Sequence, residues 1–128
     1  MIHLDTSILI DALTGPRRSS AALRAAIAAG ERLAVTSIVL YEWRRGPRHA
    51  AELAIQDRLL PSSSAVPFDA VAAASAAALY RNLKRPRGRE LDLAIAACAL
   101  VHDASFWTLN IKDFVDIPDL VLYRPEVS

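Results

Sequence analysis

Apolar and polar positions alternate in blocks along this chain, and the blocks change period. Met1 to Asp5 opens as a short apolar strand, and Thr6 to Leu13 follows with helical spacing up to Gly15-Pro16. Ser19 or Ser20 can cap a second helix through the alanine-rich stretch to Gly30, and the β-branched LAVTS at 33–37 is a second strand. Ser37 is expected to cap a helix over Ile38 to Arg45, and a further helix spans Arg48 to Leu60, broken by Pro61 and a serine run. AVPF at 65–68 is a third strand. Asp69 caps a long helix that stops before Pro86, and the next helix runs from about Gly88 to Asp103. SFWTL at 105–109 is a fourth strand, Ile111 to Val115 a turn or short helix, and LVLYR at 120–124 a fifth strand before Pro125.

Strands apolar on both faces and separated by helices predict an α/β fold, with a central parallel sheet of about five strands flanked by helices. The 128 residues suit one domain, residues 1–128, with no repeat or linker. The longest apolar run, Leu93 to Val101, is too short to cross a bilayer, and Asp5 interrupts any leader-like apolar stretch, so no membrane partner and a cytoplasmic location are expected. Cys98 is the single cysteine, which excludes an internal disulfide and makes redox or zinc chemistry an unpromising reading. Net charge is only +1, but residues 81–89, RNLKRPRGR, carry five bases and no acid, whereas acids outnumber bases from residue 90 onward. That asymmetry suits either an anionic partner or a solvated loop beside Pro86.

The candidate chemistry lies in carboxylates. Parallel sheets bind ligands at the carboxyl ends of their strands. Asp5 ends strand one, where it could serve such a site or simply cap the next helix. Glu42 shares a helix face with Ile38 and Val39, which calls for a cation, although Arg44 or Arg45 could satisfy it locally. Asp92 falls in the first turn of a helix whose Ile95, Ala96 and Ala99 share its face, a place that the helix dipole alone could explain. Asp113 follows strand four in TLNIKDF, with Thr108 and Asn110 nearby to orient a ligand, while Asp116 and Asp119 look like solvated turn acids. No serine or cysteine stands at triad spacing to a histidine and an acid, and no glycine loop suits phosphate. Three or four carboxylates on one edge repel unless a hard divalent cation sits among them, and Mg²⁺ or Mn²⁺ suits phosphodiester hydrolysis.

Taken in order and spacing, LDTSILID, TSIVLYEWRRG, DLAIAACA and TLNIKDF resemble the PIN-domain ribonucleases, and in particular the VapC-type toxins of type II toxin–antitoxin pairs. The resemblance covers nearly the whole chain and implies a PIN-like fold and a Mg²⁺- or Mn²⁺-dependent endoribonuclease acting on RNA. It matches Asp5, Glu42 and Asp92 to the family's three acids and Asp113 to a fourth, more variable one, with Asp5 and Asp92 as the main metal ligands. It also implies a homodimer and inhibition by a small VapB-like antitoxin. The short basic approach RPRGRELD departs from the longer, less charged approach of many relatives, and Asp113 and Asn110 compete to complete the site. Thr6, Ser7 and Thr108 are candidate orienting groups that could equally be local caps. Arg44, Arg45, Arg48, Arg85 and Arg87 could track an RNA backbone. Two alternatives stand beside this: a non-catalytic PIN-like binding module, and an aspartate-based phosphotransfer enzyme, against which position 7 is serine where a second aspartate would be expected.

Overall fold

In the computed structural model, which describes residues 1–125, β1 (Ile2–Leu4) is the centre of a parallel sheet in the order β2-β1-β3, with β2 at Leu33–Ala34 and β3 at Ser105–Trp107. Ile2 aligns with both Leu33 and Ser105, His3 with Ala34 and Phe106, and Leu4 with Trp107. All three β1 residues are buried, so both faces of the strand are covered, which accounts for its unbroken apolar character. The helices are α1 (Thr6–Leu13), α2 (Ser20–Ala28), α3 (Ser37–Arg45), α4 (Ala50–Leu59), α5 (Ala70–Asn82) and α6 (Glu90–Val101), with 3₁₀ turns at Ser62–Ser64 and Ile111–Asp113. Among the described residues no helix is long and apolar enough to cross a membrane.

Among the described residues three strands form, not the expected five. The expected third and fifth strands each shrink to a single parallel rung, Thr36 with Val66 and Phe106 with Leu122. At the first edge the amide of Val66 donates to the Val35 carbonyl, and the Val66 carbonyl accepts from Ser37. The partner segment turns into α3 at Ser37, and the next amide in register, that of Phe68, goes to Ser37 Oγ, so pairing stops there. At the other edge Leu122 lies between Pro118 and Pro125, and the rung consists of the bonds from Phe106 to Val121 and from Tyr123 to Phe106. Both edges stay short, which protects them from pairing with other chains.

Helix starts differ from expectation by a residue or two, each for a local reason. Thr36, not Ser37, caps α3: its Oγ1 accepts from the Val39 amide at 3.1 Å, while Ser37 Oγ accepts from Phe68 instead. Helix α4 begins at Ala50, where Glu52 reaches back to the His49 amide, and therefore excludes Arg48. Helix α6 begins at Glu90 because Gly88 adopts φ +81°, a left-handed conformation that a helix cannot continue through. Asp69 caps α5 as expected, accepting from Ala72 at 3.0 Å.

The core gathers Ile2, Leu4, Ile8, Leu9, Val39, Trp43, Ile95, Phe106 and Phe114. Every residue of α6 from Leu93 to Ala99 is buried, and four of those seven are alanine, which lets the helix approach its neighbours closely. Such an approach carries Asp92, at the start of α6, towards the carboxyl edge of the sheet.

Candidate functional site

Because the strands run parallel, β1 and β3 end on the same edge, and the amide of Asp5 donates to the Trp107 carbonyl at 2.9 Å across them. Asp5 occupies the cap position of α1 yet makes no side-chain cap bond. Its Oδ2 instead accepts from Ser7 Oγ at 2.8 Å and from Thr108 Oγ1 at 2.7 Å. Thr108 Oγ1 also accepts from the Asn110 amide at 2.9 Å, and Ser7 Oγ accepts from the Leu109 amide at 3.1 Å. Asp5 is 4% exposed, so these neutral hydroxyls supply donors that water would otherwise provide. Simple capping does not describe Asp5.

Glu42 meets the same edge from α3. Its Oε1 accepts from Thr6 Oγ1 at 2.7 Å, and its Oε2 lies 3.6 Å from Arg45 Nη2, the local pairing that its sequence also permitted. Asp92 stands in the first turn of α6, and its carboxyl is pushed up to about 6 by burial first, then by the charges of Asp5, Glu42 and Asp113, against a lowering by Arg89. Asp5, Glu42 and Asp113 are therefore each close enough to Asp92 to act on it. Its partner set includes no hydrogen-bond donor, so nothing among the described residues relieves that charge except the Arg89 guanidinium.

The remaining candidates divide. Asn110 is exposed, and its contribution to the cluster is through its amide to Thr108. Asp113 is exposed at the end of the second 3₁₀ turn, within the electrostatic reach of Asp92. Arg44 donates to Ser62 Oγ at 2.7 Å, Arg45 lies over the Tyr41 ring as well as beside Glu42, and Arg48 stacks on buried Trp43 with 4.4 Å from guanidinium carbon to ring centroid. Arg48 is thereby placed as a packing group. Arg85 and Arg87 are exposed on the turn before α6.

Two residues that sequence reasoning passed over belong here. Asp116, read as a solvated turn acid, makes a bidentate pair with Arg89 at 2.6 and 2.9 Å, and this pair holds its carboxyl below the usual carboxylate range. The signal for Arg89 was its place: a cation at a helix N-terminus opposes the helix dipole and needs a specific carboxylate nearby to justify it.

Among the described residues no three His, Cys, Asp or Glu side chains converge closely enough to enclose an ion by themselves. Hard carboxylate oxygens at a half-open edge nevertheless suit Mg²⁺, which binds through one or two carboxylates and keeps several waters. Asp5 fits that donor role, because hydroxyls occupy its Oδ2 and no described residue donates to Oδ1.

The short parallel sheet with acids at its carboxyl edge belongs to a chain whose residues 2–120 match the PIN-domain family profile, and the chain belongs to that family. Within it the relatives are of the VapC type. The chain is 33% identical over 122 residues to ribonuclease VapC19 of Mycobacterium tuberculosis, covering 91% of this chain and 94% of that protein. Its structure is similar to one of VapBC2 from Rickettsia felis bound to a promoter DNA fragment, with TM-score 0.77, 27% identity, and coverage of 98% of this chain and 100% of that one. A toxin–antitoxin complex from Klebsiella pneumoniae matches with TM-score 0.73, 26% identity and the same coverage.

Proposed function

We propose that this chain is the ribonuclease toxin of a VapBC-type pair, a Mg²⁺- or Mn²⁺-dependent endoribonuclease hydrolysing RNA phosphodiester bonds. The observation that carries it is the convergence of charge on Asp92, half-buried and raised by Asp5, Glu42 and Asp113. Repulsion of that kind is relieved by a cation, and the family relationship to ribonuclease VapC19 supports RNA as substrate. Asp5 and Asp92 would hold the ion. When bound, it would polarise a phosphoryl oxygen and lower the pKa of a water, chemistry that needs no protein nucleophile.

The chain's own groups then have separate duties. Ser7 and Thr108 fix the Asp5 carboxylate so that one oxygen is oriented and the other is free to bind. Thr6 orients Glu42, which with Asp113 would help to hold an attacking water near the ion. Arg85 and Arg87, exposed and unpaired among the described side chains, would meet phosphates. The VapBC and toxin–antitoxin relatives support a small VapB-like antitoxin as partner, a homodimer is the assembly expected of the toxin, and a cytoplasmic location follows from that role.

One observation favours a second reading. Glu42 is already satisfied by Thr6 and Arg45, and an edge without a preformed three-ligand cage could bind a partner's arginines without cutting RNA. The two readings separate when the protein is induced without its partner and the 5′ ends of newly cut cellular RNAs are mapped beside an Asp5→Asn control. Cleavage sites that disappear in Asp5→Asn support the nuclease; tight partner binding with no cleavage in any metal supports the binding module. Phosphotransfer through Asp5 has no support, since the position two residues on is Ser7, bonded to Asp5 itself.

A further inference from the structure

The basic run before α6 does not act as a unit. Arg85 and Arg87 face solvent, but the side chain of Arg89 is only 18% exposed and both terminal nitrogens of its guanidinium are engaged. Nη1 and Nη2 grip the two oxygens of Asp116 at 2.9 and 2.6 Å, Nη2 also donates to the Asp113 carbonyl at 2.7 Å, and Nη1 to the Arg85 carbonyl at 3.2 Å. One side chain thus joins the turn before α6 to the segment that carries Asp113. That segment is otherwise anchored by apolar groups, Phe114 and Ile117, both buried. Asp116, Asp92 and Asp113 all act on the guanidinium, with Asp116 foremost.

We propose that Arg89 is a positioning residue: clamped by Asp116, it holds the Asp113–Ile117 segment against the start of α6 and so sets where Asp113 stands relative to Asp92. This rests on the reading of the four acids as the reactive edge. A fork-shaped guanidinium is required, because two parallel bonds to Asp116 and a third to a backbone carbonyl need planar, divergent donors; a lysine ammonium at the same place keeps the charge and loses that geometry. Arg89 is correspondingly withdrawn from RNA contact, since the donors of both terminal nitrogens are already placed.

The test compares Arg89→Lys, Asp116→Asn and the double variant with wild type, reading Mn²⁺ binding by electron paramagnetic resonance, RNA cleavage, and amide hydrogen exchange over residues 111–117. Each single variant is expected to weaken Mn²⁺ binding and cleavage by about tenfold or more, the range seen when groups that orient metal ligands are removed. The double variant should be no worse than either single one, because both break the same clamp. Exchange over 111–117 should quicken while the remaining amides keep their protection.

Mn²⁺ binding and cleavage within about twofold of wild type in either single variant, or losses that multiply in the double, would overturn the proposal. So would faster exchange with unchanged metal binding, which is what a merely structural tie would give, or a loss confined to RNA affinity. Asp116 is at the surface, so Asp116→Asn carries the comparison if Arg89→Lys fails to fold. Asp92→Asn separates the two levels of the argument: Mn²⁺ binding and cleavage retained there defeat the reading of the acids, whereas their loss there with Arg89→Lys intact defeats only the clamp.

Discussion

The two halves of the acidic edge are built differently. At the strand ends, one oxygen of Asp5 and both of Glu42 have partners before any ligand arrives: hydroxyls of Ser7, Thr108 and Thr6 donate to them, and Arg45 stands by Glu42. At the start of α6, Asp92 has no donor among the described residues, and Arg89, the cation that acts on it, is committed to Asp116. One half is ordered by neutral hydrogen bonds, the other is loaded with charge. The difference teaches that the strand half supplies geometry and the helix half supplies attraction for a cation, so damage to each should show in a different measurement.

The largest effect should come from removing charge on either side. Asp5→Asn and Asp92→Asn should each lower RNA cleavage by about a thousandfold or more, with unchanged circular dichroism, since both are assigned to the ion on which the chemistry depends. Breaking only the strand half should be milder and felt in stability as well. Thr108→Val removes a buried hydroxyl that serves both Asp5 and the Asn110 amide, and should destabilise the fold by about 1–3 kcal/mol in denaturant titration. Cleavage in that variant should fall by roughly 10- to 100-fold.

Acid sharpens the comparison further, because half-buried Asp92 and buried His3 titrate in opposite senses. The Asp92 carboxyl, raised to about 6, holds its proton more tightly in the folded state, so without a cation stability falls as pH rises from about 4 to 6. Solvent screening limits that loss to on the order of 1 kcal/mol. His3, buried with neither ring nitrogen hydrogen-bonded, is lowered to about 4 by burial, by His102 and by the N-terminal amine. It protonates more readily when unfolded, so its contribution is present above about pH 6.5 and is lost as pH falls towards 4. The two slopes oppose each other in wild type. In Asp92→Asn the stability should therefore drop more steeply on acidification between pH 6 and 4, measured by denaturant midpoints. The smallest effect belongs to the exposed turn: Arg87→Ala should leave stability unchanged and reduce the salt slope of RNA binding by about one.

Much of this was legible in the sequence, and the parts that were not have physical causes. Asp5 could be placed because a strand-to-helix turn in a parallel sheet puts its last residue on the ligand-binding edge, and Asp92 because the apolar run behind it must be a buried helix. The edge strands were overestimated because AVPF and LVLYR have strand composition, whereas the first loses its partner where the chain turns into α3 at Ser37 and the second meets Pro125, which has no N–H to donate. Thr36 and Ser37 are adjacent hydroxyls with the same capping chemistry, and only the backbone, extended at Thr36, decides between them. Arg89 was hidden in a run whose other members are solvated, and Asp116 in a loop with the composition of a turn. Their pairing spans 27 residues, a contact that no local pattern carries.

The central claim, that these acids exist to hold a divalent cation, is tested most directly by calorimetric titration of the partner-free protein with Mn²⁺ at pH 7.5 and pH 5.5. The account predicts saturable binding at the higher pH, weaker binding at the lower one as Asp92 takes up its proton, and loss of binding in Asp92→Asn. Equal binding at both pH values and in Asp92→Asn would contradict it.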